Sequence, residues 1–180
     1  MRKKIILIFS LSLLILLALI IGITHNWSPE QSFSRTNSKS IDNLKNLETL
    51  KKINLNKDKV MFVNKTPYNQ LNLVITRNKF LKGWSVEDFL LGANIDQLDN
   101  YIFIQSNSNK YNFTSSWSRL TSSKDPDKKG ILYGFFTGTN NNYKEIYVDD
   151  IKCNIEKIDD NLFLYYCFSG PPKFNYKVVE

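Results

Sequence analysis

Histidine is almost missing from this chain: His25 is the only one in 180 residues. Ser-His-Asp and Cys-His catalysis both need a base within hydrogen-bond reach of a nucleophile, and one histidine beside an N-terminal apolar block supplies none. The same scarcity removes histidine-based zinc sites, and two cysteines alone, Cys153 and Cys167, do not close a tetrahedral one. Glycine is sparse, with seven in all, and no glycine-rich phosphate loop occurs. Neither cysteine lies near the N-terminal apolar block, so a lipid-modified cysteine directly after it is not expected.

Acid pairs do occur, at Asp149-Asp150 and Asp159-Asp160, but both fall where hairpin turns are expected, a setting Asp favours for local hydrogen bonding. Asp125, Asp127 and Gly130 have the spacing of a calcium loop, yet Lys129 and Phe136 stand where oxygen ligands belong. The expectation is therefore no enzyme, no catalytic residue, no cofactor and no metal. Two carboxylates converging for glycoside hydrolysis are the remaining enzyme alternative, with no pair singled out.

What the chain has in quantity is apolar sequence at one end. Ile5 to Ile23 reads IILIFSLSLLILLALIIGI, without a charge. At about 1.5 Å per residue that run spans about 28 Å as a helix, close to the ~30 Å hydrocarbon core of a bilayer. A helix also satisfies every backbone polar group inside lipid. Arg2, Lys3 and Lys4 precede the run, and no Lys or Arg follows until Arg35, which predicts a cytoplasmic N-terminus and an extracytoplasmic C-terminus. Trp27, just past the outer end, suits the headgroup zone. A cleaved secretory signal is the alternative, but the run is long and Gly22-Ile23-Thr24 is a poor small-x-small site.

The formal net charge is +7, and Arg2, Lys3 and Lys4 supply three of it. The other lysines are interspersed with acids, which reads as a solvated exterior with weak attraction to anionic lipid heads or wall polymers. Nucleic acid is not an expected partner for a domain outside the membrane.

Residues 25–39 are polar, with Pro29 and several serines, and read as a juxtamembrane stalk. Ser40 then caps a predicted short helix whose stripe is Ile41, Leu44, Leu47 and Leu50. From Lys59 onward the pattern is β: Val60–Val63, the turn at Thr66-Pro67-Tyr68-Asn69, Leu71–Ile75, and the segments around Phe80 and Trp84. Val86–Leu91 reads as a brief helical interruption. Tyr111, Phe113 and Trp117 share one parity, either as an edge strand that packs or as aromatics offered to a sugar-like ligand.

The last fifty residues predict an antiparallel meander. Ile131–Phe136 is a strand, Asp149-Asp150 turns into Ile151–Ile158, and Asp159-Asp160-Asn161 turns into Leu162–Phe168. Leu162 to Tyr166 is apolar on both parities, so that strand is expected to be covered on both faces. If this hairpin centres on Asp160, Cys153 and Cys167 face each other at a separation a disulfide can bridge. Two buried free thiols are the alternative.

The expected fold class is an N-terminal transmembrane helix plus an α+β domain, mainly antiparallel β with one short helix. Its divisions are a cytoplasmic tip and anchor at 1–24, a stalk at 25–39 and an extracytoplasmic β-rich domain at 40–180. Leu132-Tyr133-Gly134, Ile146-Tyr147-Val148-Asp149-Asp150, Asn154-Ile155 and Leu162-Phe163-Leu164-Tyr165-Tyr166, with Lys82-Gly83-Trp84 before them, resemble a pattern in small exported, membrane-anchored proteins of bacillus-type Gram-positive bacteria. That group is uncharacterised, so the resemblance implies a fold and a surface location without an activity; Cys153 stands where the group usually has a small residue. The expected function is binding, with membrane lipid held through residues 5–23 and an extracytoplasmic protein or wall polymer as the partner. A toxin- or bacteriocin-immunity protein is the alternative.

Overall fold

The computed structural model describes residues 2–37, 47–80, 82–100, 103–104, 110–120, 130–138 and 143–180. Side chains are described for these except 2–8, 19, 23–24, 36–37, 99–100, 103–104 and 110–111. The fold is mainly antiparallel β-sheet, and among the described residues α-helix occurs only in the N-terminal part. In chain order the elements are α1 (Arg2–Thr24), α2 (Pro29–Asn37), β1 (Glu48–Asn56), β2 (Lys59–Lys65), β3 (Gln70–Lys79) and β4 (Gly83–Asn94). A 3-10 helix (Ile95–Asn100) follows, then β5 (Phe103–Ile104), β6 (Lys110–Tyr111), β7 (Ser116–Arg119), β8 (Gly130–Thr137) and β9 (Glu145–Val148). The chain ends with β10 (Ile151–Lys152), β11 (Asn154–Lys157), β12 (Leu162–Ser169) and β13 (Tyr176–Val179).

Three of the sheets stack as layers. The first runs β1-β2-β3-β4, the second β11-β12-β8-β7 and the third β10-β9-β13, while β5 and β6 form a small separate pair. Each central strand gives one parity of side chains to each neighbouring layer, as the two-residue period of a strand requires. From β12, Leu162, Leu164 and Tyr166 meet the first sheet's Met61, Val63, Leu73 and Ile75. The alternate residues Tyr165 and Cys167 meet Ile146, Val148 and Tyr176 of the third sheet. β8 is buried along its whole length and β12 nearly so, which is the two-faced burial their sequence predicts. At about 1.5–3 kcal/mol for each large apolar side chain, these two interlayers carry most of the fold's stability.

A fourth layer is helical. Residues 25–37 are not a stalk: Asn26 bridges Gly83, and α2 lies on the outer face of the first sheet. Ser28 Oγ accepts from Gln31 N–H at 3.2 Å, Pro29 starts the first turn, and Phe33 stacks on Phe62 with ring centroids 5.5 Å apart. A capped nine-residue helix this polar is marginal alone; docking of Phe33 and burial of Ser32 hold it.

Two other expectations differ from the structure. Val86–Leu91 belongs to strand β4, which is paired along β3, and Leu50 lies in β1 rather than on a helix. β4 is covered by the second sheet on one side and α2 on the other, so its apolar residues do not alternate and imitate helical spacing. The other residues of the predicted 40–50 helix lie outside the described residues, except Leu47 to Thr49. Among the described residues no helix is long and apolar enough to cross a membrane. Within α1 the side chains described are 9–18 and 20–22, and the backbone is helical over 23 residues.

Candidate functional site

The register of the last hairpin puts the two thiols together. Asn154 pairs with Tyr166 and Ile155 with Tyr165, so the next step of the ladder sets Cys153 against Cys167. Cys153 does more than extend β11. Its N–H donates to Ile146 O of β9 at 2.8 Å, while the following residue joins β12. The predicted single strand Ile151–Ile158 is thus divided between two sheets, and Cys153 is the point of transfer.

Both thiols are buried and free, and they hydrogen-bond to each other. Cys153 is pushed far up by donating to Cys167 and by burial, whereas Cys167 is drawn down by that donated bond in spite of its own burial. Around them lie Tyr165 and Tyr176, both fully buried. Tyr165 donates to Thr114 O at 2.7 Å, and the Tyr176 and Ser115 hydroxyls bond each other closely. Burial drives the Tyr165 phenol well above its ordinary value and Tyr176 up to about 12. Reactive cysteines are partly exposed and electropositive in surroundings, whereas this pair is buried between the second and third sheets.

The three aromatics singled out by parity separate. Phe113 is 1 % exposed and packs among Tyr143, Tyr165 and Tyr176. Trp117 is half-buried and lies over Gly130, where a Cβ would come within 2.6 Å of the indole Cζ2. Tyr111 is in β6, paired with Phe103, and its side chain is outside the described set. Phe113 therefore packs the fold, while Trp117 covers Gly130 and keeps part of its surface exposed.

A cleft of about 380 Å³ opens beside the Asp149-Asp150 turn, lined by Ser169, Pro171, Pro172 and Asn175 among others. Both Asp residues adopt positive φ, 48° and 65°, which suits a two-residue hairpin turn. The Asp149 carboxylate is committed to structure: it accepts from Lys173 N–H at 2.7 Å and from Asn175 N–H at 3.1 Å. Asp150 is exposed at the rim, and the buried Ser169 hydroxyl has no hydrogen-bond partner among the described residues. This arrangement can hold a polar ligand; with one carboxylate occupied by backbone it lacks a second acid for hydrolysis. Among the described residues no three His, Cys, Asp or Glu side chains cluster closely enough to hold a metal ion.

The sequence reading missed this cleft, because the pairing of β13 with β9 brings Asn175 to the turn while Ser169 comes from β12 of another sheet. Compared with family models, curated proteins and solved structures, the chain matches none.

Proposed function

We propose that the chain is a single-pass, membrane-tethered interaction module whose β-rich domain lies on the extracytoplasmic side. One observation carries this reading: α1 exposes large apolar side chains all round. Leu13, Leu14, Ile15, Leu16 and Leu17 are consecutive, so at helical spacing they face every direction, and each is 49–64 % exposed. Phe9, Leu11, Ile20 and Ile21 extend the same surface. Leaving nine such side chains in water forfeits roughly 10 kcal/mol or more, which a hydrocarbon surrounding restores. The uncharged sequence from Ile5 to Ile23 supplies the length, and Arg2, Lys3 and Lys4 hold the N-terminal end inside.

The cleft at Asp150 and Ser169 is the surface we assign to ligand contact, with a protein segment or wall polymer rich in hydrogen-bonding groups as the ligand class. The exposed Asp150 side chain at its rim supports that assignment. The test is topological. In right-side-out membrane vesicles the chain is expected to resist carbonate extraction, and added protease should remove β1–β13 while leaving an α1 fragment. Extraction into the carbonate supernatant, or a domain cut only after the vesicles are opened, would overturn the reading.

A further inference from the structure

At its exit from α1 the chain has almost no slack. His25 N–H still bonds Ile21 O at 2.8 Å, as the last turn of the helix. The next residue, Asn26, is already locked to β4: its carbonyl accepts Trp84 N–H at 2.9 Å and its side-chain amide donates to Trp84 O at 2.9 Å. Gly83, at φ +69°, is pressed against this exit; a Cβ there would collide with the Asn26 carbonyl and lie 2.7 Å from His25 Nε2. The tip of the β3–β4 hairpin is therefore fixed within two residues of the helix end.

That tip is unlike the rest of the surface. Phe80 is 93 % exposed, and Trp27, the residue after Asn26, is 64 % exposed. Lys79 and Lys82 flank Phe80, both exposed. The neighbouring β1–β2 turn adds exposed Lys57, held alongside by the Asn78 N–H bond to Asp58 O at 2.8 Å. Two acids near this end are paired within the protein. Asp58 pairs with Arg77 at 3.2 Å, and Glu87 pairs with Lys59 at 3.5 Å and Arg77 at 3.7 Å. Aromatic rings and lysines at the level where an apolar helix ends are the composition of a membrane–water interface.

We propose that the β3–β4 hairpin tip, with Trp27 and Lys57, is a second lipid-contact site that seats the domain on headgroups of an anionic bilayer. This rests on α1 spanning the membrane. Phe80 and Trp27 enter the headgroup zone, and Lys57, Lys79 and Lys82 contact lipid phosphates. Each lysine near such a surface is worth about a fivefold preference for anionic over neutral lipid, roughly a hundredfold for three.

The test uses the full chain in phosphatidylcholine vesicles with and without phosphatidylglycerol, carrying an environment-sensitive dye at F80C or, at the opposite end of β3, at Y68C. Tyr68 is 81 % exposed, and Cys153 and Cys167 are buried, so only the introduced thiol labels. A quencher attached to lipid headgroups is expected to quench the dye at position 80 several-fold more than at 68, most in anionic vesicles. K57Q/K79Q/K82Q should abolish the phosphatidylglycerol dependence. Equal quenching at both positions, with the chain still floating with the vesicles, overturns the contact site and leaves the anchor standing. Failure to float with vesicles of either composition overturns both.

Discussion

Gly134 offers the sharpest test of how the second sheet is built. It lies in the middle of β8, directly across from Tyr165 of β12, and the tyrosine ring folds over it so that its hydroxyl reaches Thr114 O. A Cβ at this position would overlap the Thr114 carbonyl oxygen and approach Tyr165 Cε1 to 2.5 Å and its hydroxyl oxygen to 2.6 Å. Tyr165 is fully buried and cannot swing away. Thr114 is itself bonded to β8, donating its N–H to Phe135 O at 2.9 Å and accepting from Phe135 N–H through its hydroxyl at 2.8 Å. Gly134→Ala must therefore break one or two buried hydrogen bonds, at about 1–1.5 kcal/mol each, and add about 1–3 kcal/mol of overpacking. The expected cost is about 3–5 kcal/mol, which in a chain of this size lowers Tm by roughly 10 °C or more. Tyr165→Phe, which removes the hydroxyl bond without crowding, should cost only about 1–2 kcal/mol. Gly22→Ala is the internal control, because a Cβ there meets nothing within 4 Å. Urea and thermal denaturation of the detergent-solubilised full chain, followed by circular dichroism, give the numbers. A Gly134→Ala protein within ~1 kcal/mol of the parent would show that the Tyr165–Thr114 arrangement is loose, and the argument for a tightly closed second interlayer would fall with it.

Other expectations are as direct. Phe33→Ala removes the stacked partner of Phe62 and should cost about 2–3 kcal/mol of α2 docking, read as new tryptic cleavage at Arg35 under native conditions. Glu87→Ala leaves Lys59 and Arg77 without the carboxylate at the β4 bulge and should destabilise by about 2–4 kcal/mol, with no rescue by added salt because the Glu87 side chain is 3 % exposed. Tyr176 titrates near 12 in the fold against about 10 when unfolded, so the folded state holds its proton longer. Its contribution is complete below pH 10 and fades as pH rises from 10 to 12, by about 2.7 kcal/mol at the upper end; tyrosinate absorbance should rise together with unfolding, and independent titration of all tyrosines in a folded protein would contradict this. In the reduced protein Cys153 and Cys167 should react with maleimide at least ~100-fold more slowly when native than when unfolded; equal rates would mean that the interlayer opens freely.

The C-terminal layers were legible because the sequence there is locally consistent. Ile131–Phe136 and Leu162–Tyr166 are apolar on both parities, which is what burial between two layers demands. The Asp149-Asp150 turn and the spacing that opposes Cys153 with Cys167 depend only on hairpin length. Other features depend on partners far along the chain. α2 has a single large apolar residue, Phe33, so periodicity does not find it, although Ser28-Pro29-Glu30-Gln31 carries the signature of a capped helix start. β4 has neighbours on both sides, and its register is interrupted between Val86 and Asp88, so its pattern misreads as helical. The transfer of the chain from the third sheet to the second at Cys153 leaves no local mark, since a continuous strand pattern does not say which neighbours it will take. The cleft at Asp150 and Ser169 was hidden for the same reason: its walls are 19 residues apart in the chain.

The lock between Asn26 and Trp84 also sets a ruler. Flexible tethers let a domain sweep a volume that grows with linker length, trading local concentration for reach. Here the first strand-bound residue comes two positions after the helix, so almost no free chain separates α1 from the first sheet. β3, ten residues long, spans about 33 Å, and that length bounds how far the Tyr68 end can stand from the Gly83 end. A tilt or rotation imposed on α1 is therefore passed to the first sheet through the Asn26–Trp84 bonds, with one residue of chain in between.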